Sequence, residues 1–163
     1  MEIYNHGCEH DGLYGYNPQS YDEMLRLNNK MYCVSTDDNH NHEPFDSPLC
    51  DSFGGFTMIK APSLTYNNII KSLLDGNFYS SMGPLIEEMY IENDTLYVKT
   101  SPVEKIFVIT KGRHCHKKLA KKGETITEAA FKLDGNEGFI RLSIRDNNGL
   151  YASSNGYFLE DLK

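Results

Sequence analysis

Apolar and polar residues follow two different rhythms along this chain. In the first part, short apolar runs alternate with segments of helical period. "EIYN" reads as a short strand and is followed by a long polar loop from Gly7 to Gln19. "SYDEMLRLNNK" then has an apolar side of Met24, Leu25 and Leu27, and Ser20 and Glu23 have the spacing of a capping box, which predicts a helix starting at Ser20. "MYCVST" is the next strand; it lacks polar alternation until its end, as in a parallel strand buried on both faces. After a loop to about Gly55 come a strand, "FTMIKA", and a second helix, "LTYNNIIKSLLDGNF". Thr65 is its expected N-cap, Ile69, Ile70, Leu73 and Leu74 its stripe, and Gly76 its end. Strand–helix–strand order predicts parallel pairing with helical crossovers.

Near "SSMGP" (Ser80 to Pro84) the rhythm changes. "IEEMYIEN", "TLYVKTS", "KIFVITKG", "TEAAFKLDG", "GFIRLSIRDNNG" and "YASSNGYFLE" are short, alternate in places, and are separated by Asn-Asp, Ser-Pro, Lys-Gly, Asp-Gly and Asn-Asn-Gly turns. Such spacing predicts a small antiparallel β-sandwich or partial barrel. The expected organisation is therefore α/β over 1–83, then β over 84–163.

Composition narrows the function classes. The chain has 163 residues, enough for one domain or two very small ones, and 39% of them are hydrophobic, enough for a packed core. A net charge of −7 argues against general nucleic-acid binding, and only "KGRHCHKKLAKK" is locally basic. No run approaches the ~20 apolar residues that span a bilayer, and no signal-peptide pattern opens the chain, so no membrane role is expected. Cys8, Cys33, Cys50 and Cys115 form no C-x-x-C pair, and Cys33 sits in an apolar run. A reduced, cytoplasmic protein is expected. Strand-like residues start at the first position, which predicts a chain cut from something longer.

The densest chemistry is "STDDNHNH", Ser35 to His42, directly after an apolar strand. At a strand end, residues two apart face the same way, so the Asp38 carboxylate and the His40 imidazole can converge on one cation, with Asp37 and His42 orienting them. The alternative is a solvated turn held by Asx-type hydrogen bonds. "GCEHDG" adds Glu9, His10 and Asp11 after the first strand, either bordering the same site or forming a surface loop. "RHCHKK" puts His114 and His116 around Cys115, either as a ligand pair or as a solvated hairpin tip. The tyrosines Tyr4, Tyr14, Tyr16, Tyr21 and Tyr32 suit packing and loop anchoring. Ser80 and Ser81 offer hydroxyls to a phosphate, or belong to a hinge with Gly83–Pro84.

The order of these segments resembles the C-terminal half of the PHP-domain (polymerase and histidinol phosphatase) proteins, metal-dependent phosphoesterases. The resemblance is carried by "EIYN", "YDEMLRLNNKMYCVSTDDNH" and "GGFTMIKAPSLTYNNIIKSLLDGNFYSSMGP", and more loosely by "IRLSIRDNNGLYASSNGYF". It implies that the chain is the C-terminal part of a (β/α) PHP barrel followed by a small antiparallel β-sandwich-like domain. It implies further that Asp38 and His40 are the last two ligands of a site for two or three divalent cations (Zn, Mn or Fe). The activity implied is hydrolysis of a phosphorylated small molecule or nucleotide by metal-activated hydroxide.

The earlier ligand motifs of that family have no counterpart here. His6 and His10 lack the H-x-H spacing and follow the first strand, so they do not stand in for it. The chain alone is therefore expected to be inactive, its metal incomplete or absent, and its exposed strand edges covered by self-association into a homo-oligomer. The alternative is a non-catalytic fragment whose β-rich part is a binding or packing module.

Overall fold

The computed structural model describes residues 1–162. Strand β1 (Glu2–Asn5) leads into a one-turn helix α1 (His6–His10), helix α2 (Pro18–Arg26) and strand β2 (Val34–Thr36). β1 and β2 pair in parallel, Glu2 opposite Val34 and Asn5 opposite Thr36. Then follow β3 (Phe56–Ile59), helix α3 (Tyr66–Leu74), β4 (Phe78–Ser81), β5 (Ile86–Glu92), β6 (Thr95–Val103), β7 (Lys105–Thr110), β8 (Cys115–Leu119), β9 (Ile126–Lys132), β10 (Phe139–Arg145), β11 (Tyr151–Ser154) and β12 (Tyr157–Phe158).

The expected part of a (β/α) barrel is not what the chain forms. β3, β4, β11, β10, β7 and β8 make one antiparallel sheet in that order, with β12 also on β10, and β5, β6 and β9 make a second antiparallel sheet. The chain departs from that arrangement at α3. A helix between two strands was expected to be a crossover, but β3 and β4 are antiparallel neighbours, Phe56 opposite Ser81 and Ile59 opposite Phe78. α3 is an excursion from their hairpin. Its two feet are tied together where Lys60 N–H donates to the Asn77 carbonyl at 2.8 Å, and Ser72 Oγ donates back to the Lys60 carbonyl at 2.8 Å. A crossover helix must bury an apolar face on its sheet; α3 buries only Ser72, with Ile69 and Leu73 half-buried and Ile70 and Leu74 exposed. Strands from both sides of residue 84 thus share the larger sheet.

Two apolar clusters hold these layers. Leu96, Val98 and Val103 of β6, with Ala129 and Phe131 of β9, face Ile106 and Val108 of β7, Ile140, Leu142 and Ile144 of β10, and Ala152 of β11. The alternating burial of β6 and β7 follows from having one wet and one dry face. β10 differs: Phe139 to Ile144 are all buried, because its second face is covered by a second cluster of Ile3, Tyr4, Tyr21, Leu25, Cys33, Phe139 and Phe158.

α2 starts earlier than the capping box suggested. Asn17 is the N-cap, accepting from Ser20 N–H at 3.2 Å, with Pro18 at the first helical position, where its missing N–H costs nothing. Glu23 accepts from Gln19 Nε2 instead. Thr65 does cap α3 by position, although its side chain makes no capping hydrogen bond, and Gly76 ends the helix at φ +71. All four cysteines are free thiols. Among the described residues no helix is long and apolar enough to cross a membrane.

Candidate functional site

The parallel pair β1–β2 brings the chemistry-bearing residues of the first part to one edge. Side chains of Glu2 at the start of β1, Asn5 at its end, Thr36 at the end of β2 and Asp38 just beyond it are joined by hydrogen bonds along the pair. Asn5 Nδ2 donates to Glu2 Oε2 at 3.2 Å and to Asp38 Oδ2 at 3.3 Å, and Thr36 Oγ1 donates to Glu2 Oε1. Asn5 Oδ1 accepts from Cys8 N–H at 2.9 Å and so caps α1. One amide thereby links the Asp38 carboxylate to the start of the helix carrying His6 and His10. Asp38 adopts φ +53, a left-handed conformation that Asp tolerates better than most side chains.

Asp37 and Asp38 have opposite roles. Asp37 turns inward and gathers three backbone donors: Phe53 N at 2.6 Å, Gly54 N at 2.9 Å and Gly55 N at 2.7 Å. Its own carbonyl accepts from Gly7 N at 2.8 Å. With its oxygens filled by amides, Asp37 fastens the 53–55 turn against β2 and α1. The Asp38 side chain is exposed beside Asn5. His40 is exposed too; its backbone N–H donates to Asp51 Oδ2 at 2.7 Å, and its ring meets that of His42 at 5.8 Å between centroids.

α1 replaces the start of what was expected to be a polar loop. His6 and His10 lie one turn apart, with Nε2 atoms 3.0 Å from each other, and His6 Nδ1 is 2.9 Å from the Tyr4 hydroxyl. Glu9 Oε1 accepts from Gly15 N at 3.1 Å. His6 and His10 lack H-x-H spacing and do not stand in for that motif, yet the helix brings them together. The signal that would have found the pair is His-x3-His directly after an Asn fit to cap a helix.

Other candidates lie elsewhere. His114 and His116 share one face of the β7–β8 hairpin, ring centroids 5.0 Å apart, and His116 Nε2 lies 3.4 Å from Oε1 of the buried Glu137. That carboxylate already accepts from Asp134 N and Gly135 N. Ser80 and Ser81 are buried in β4, and Ser81 Oγ donates to the Pro84 carbonyl at 2.7 Å and accepts from Gly83 N at 2.8 Å, which makes it part of the turn. Tyr4, Tyr16 and Tyr21 pack in or beside the second cluster, while Tyr14 is fully exposed.

The donors at the strand ends fit a divalent metal in kind, since carboxylate oxygen and imidazole nitrogen suit Zn, Mn and Fe. In number they fall short of the three protein ligands usual in a catalytic site, and among the described residues no three His, Cys, Asp or Glu side chains converge as a metal cluster. Comparison with family models, curated proteins and solved structures finds no match to this chain.

Proposed function

We propose that the chain is the C-terminal part of a PHP-type metal-dependent phosphoesterase, contributing Asp38 and His40 as two ligands of a divalent-metal site and inactive by itself. The observation that carries this reading is the hydrogen-bonded set of Glu2, Asn5, Thr36 and Asp38 along the parallel pair, in which Asn5 and Thr36 end the two strands and Asp38 follows β2. It joins the E-x-x-N and D-x-H segments that carry the family resemblance. In the assembled site, Asp38 and His40 would hold Zn, Mn or Fe, and the metal would supply an activated hydroxide and neutralise the phosphate of a phosphorylated small molecule or nucleotide. Asn5 orients Asp38 from behind by its hydrogen bond. Homo-oligomerisation belongs to the same reading, supported by the exposed Leu64, Tyr66 and Leu74 on and beside α3. A monodisperse monomer by light scattering overturns that part.

The experiment is metal analysis and turnover of the purified chain. Stoichiometric metal that is lost in His40→Ala supports the ligand pair. With Mn or Zn and p-nitrophenyl phosphate, no turnover above the metal blank is expected; metal-dependent turnover abolished by Asp38→Ala overturns the inactivity. A folded chain that takes up no metal favours the second reading, a non-catalytic binding or packing module. That reading is supported by the outward-facing Tyr90–Tyr97 pair across β5 and β6, stacked at 5.2 Å and 19°.

A further inference from the structure

We propose that His6 and His10 form a second, two-nitrogen chelate for a transition-metal cation of the Zn²⁺ or Ni²⁺ type, held by α1 and independent of the reading of Asp38 and His40. The two Nε2 atoms stand 3.0 Å apart, with the rings nearly perpendicular at 79°. For metal–nitrogen bonds of ~2.0–2.1 Å, two neighbouring ligands of a four- to six-coordinate ion lie roughly 2.9–3.4 Å apart. The imidazoles therefore already stand at chelating separation, and an ion would need little side-chain rearrangement to enter.

The other nitrogen of His6 is also prepared. A liganding imidazole presents a lone pair on one nitrogen and donates N–H from the other, and the partner of that N–H fixes tautomer and ring plane. His6 Nδ1 lies 2.9 Å from the Tyr4 hydroxyl, which can accept its N–H. Without an ion, one Nε2 must donate to the other. On binding, His6 keeps its proton on Nδ1 toward Tyr4, the His10 proton passes from Nε2 to Nδ1 by exchange with water, and both Nε2 lone pairs point at the ion. The exchange is a change of tautomer, with no net loss of protons from neutral rings.

The ring of His6 is locked from outside as well. A Cβ on Gly54 would overlap it, so only glycine fits against this face, and Asp37 Oδ1 holds Gly54 N at 2.9 Å. Both histidines are half-buried, leaving the ion's outer positions to water or to a ligand from solution.

The test is calorimetric titration of the full chain with ZnCl₂ and with NiCl₂, read beside long-range ¹H–¹⁵N spectra of the imidazoles. About one equivalent should bind through this pair, with His6 and His10 Nε2 signals shifting in the wild type. His6→Gln and His10→Gln should each weaken that binding tenfold or more, and Tyr4→Phe on the order of tenfold. Asp38→Ala/His40→Ala should leave the His6 and His10 shifts in place, which separates this site from the proposed phosphoesterase ligands. Nε2 signals of His6 and His10 that stay put at saturating metal overturn the proposal, as does full affinity in both glutamine variants. The wild-type spectra decide the matter even if a variant fails to fold.

Discussion

Asp22→Ala should unfold the chain more readily than any other single loss of a charge. Arg141 points from β10 toward α2 and is only 2% exposed. Its Nε donates to Asp22 Oδ1 at 2.7 Å and its Nη2 to Asp22 Oδ2 at 3.0 Å, a two-pronged pairing, while Nη1 donates to Ser153 Oγ at 3.2 Å. The guanidinium lies 5.7 Å from the centre of the Tyr21 ring. Burial works against the charge, and the Asp22 carboxylate overrides burial and keeps the guanidinium pKa above its ordinary value. Removing Asp22 strands that charge in a dry layer, which costs about 3–5 kcal/mol. Against the ~5–15 kcal/mol typical of a whole domain, that is a large share. Asp22→Asn keeps an acceptor and should lose less. Replacing both partners with apolar residues, Asp22→Leu with Arg141→Met, should be close to neutral, because no charge is left to desolvate. Arg141→Lys should be poorly tolerated, since an ammonium cannot make the fork. Urea unfolding followed by far-ultraviolet circular dichroism at neutral pH measures each change as a shift in midpoint at constant slope. A loss below ~1 kcal/mol for Asp22→Ala, or a double variant as unstable as the single, refutes the reasoning.

Burial pushes the Cys33 thiol up to about 11 from 9.0 and pushes the Tyr21 phenol up as well. A group that holds its proton more tightly when folded stabilises fully below its unfolded pKa and loses that contribution as pH rises toward the folded value. Cys33 should therefore cost about 1.4 kcal/mol per pH unit from about pH 9 to 11, read as falling urea midpoints, and the decline should be shallower in Cys33→Ala; equal slopes in the two proteins would sink this. Asn155, with no exposure, donates to the Gly76 and Phe78 carbonyls and accepts from Cys33 N–H. Asn155→Ala leaves three buried backbone groups without partners and should cost about 3 kcal/mol or more by the same unfolding assay, with a loss under ~1 counting against it.

The strands from residue 86 onward were legible because most have one dry and one wet face, as the alternation of β7 records directly. β10 breaks that rule. Ile140, Leu142 and Ile144 face the smaller sheet's side of the core, while Phe139 belongs to the cluster with α2 and β1 and Arg141 pairs with Asp22 on α2. That second cover comes from residues more than a hundred positions upstream, and no local pattern announces it. The direction of β4 was hidden for a related reason. Period and caps identify α3 as a helix, but whether it crosses a sheet or stands off a hairpin depends on the Lys60–Asn77 pairing at its feet, a contact absent from the pattern. At the N-terminus of α2, both Asn17–Pro18 and Ser20–Glu23 are valid start signals; proline's fixed φ fits the first turn and favours the earlier one.

The candidate site divides along the same line. Asp37 and Asp38 are identical in composition and adjacent in sequence, yet only backbone direction separates them. Thr36 ends β2, Asp37 still points into the molecule and meets the amides of the 53–55 turn, and the left-handed turn at Asp38 swings the next carboxylate out to Asn5. The Asp37 clasp also sets Gly54 against the ring of His6. The D-x-H loop and the histidine helix are therefore mechanically one unit, joined by an aspartate that binds only backbone. It follows that a substitution at Asp37 should disturb both proposed metal sites at once, through Gly54 on one side and through the position of Asp38 on the other, although Asp37 itself ligates neither.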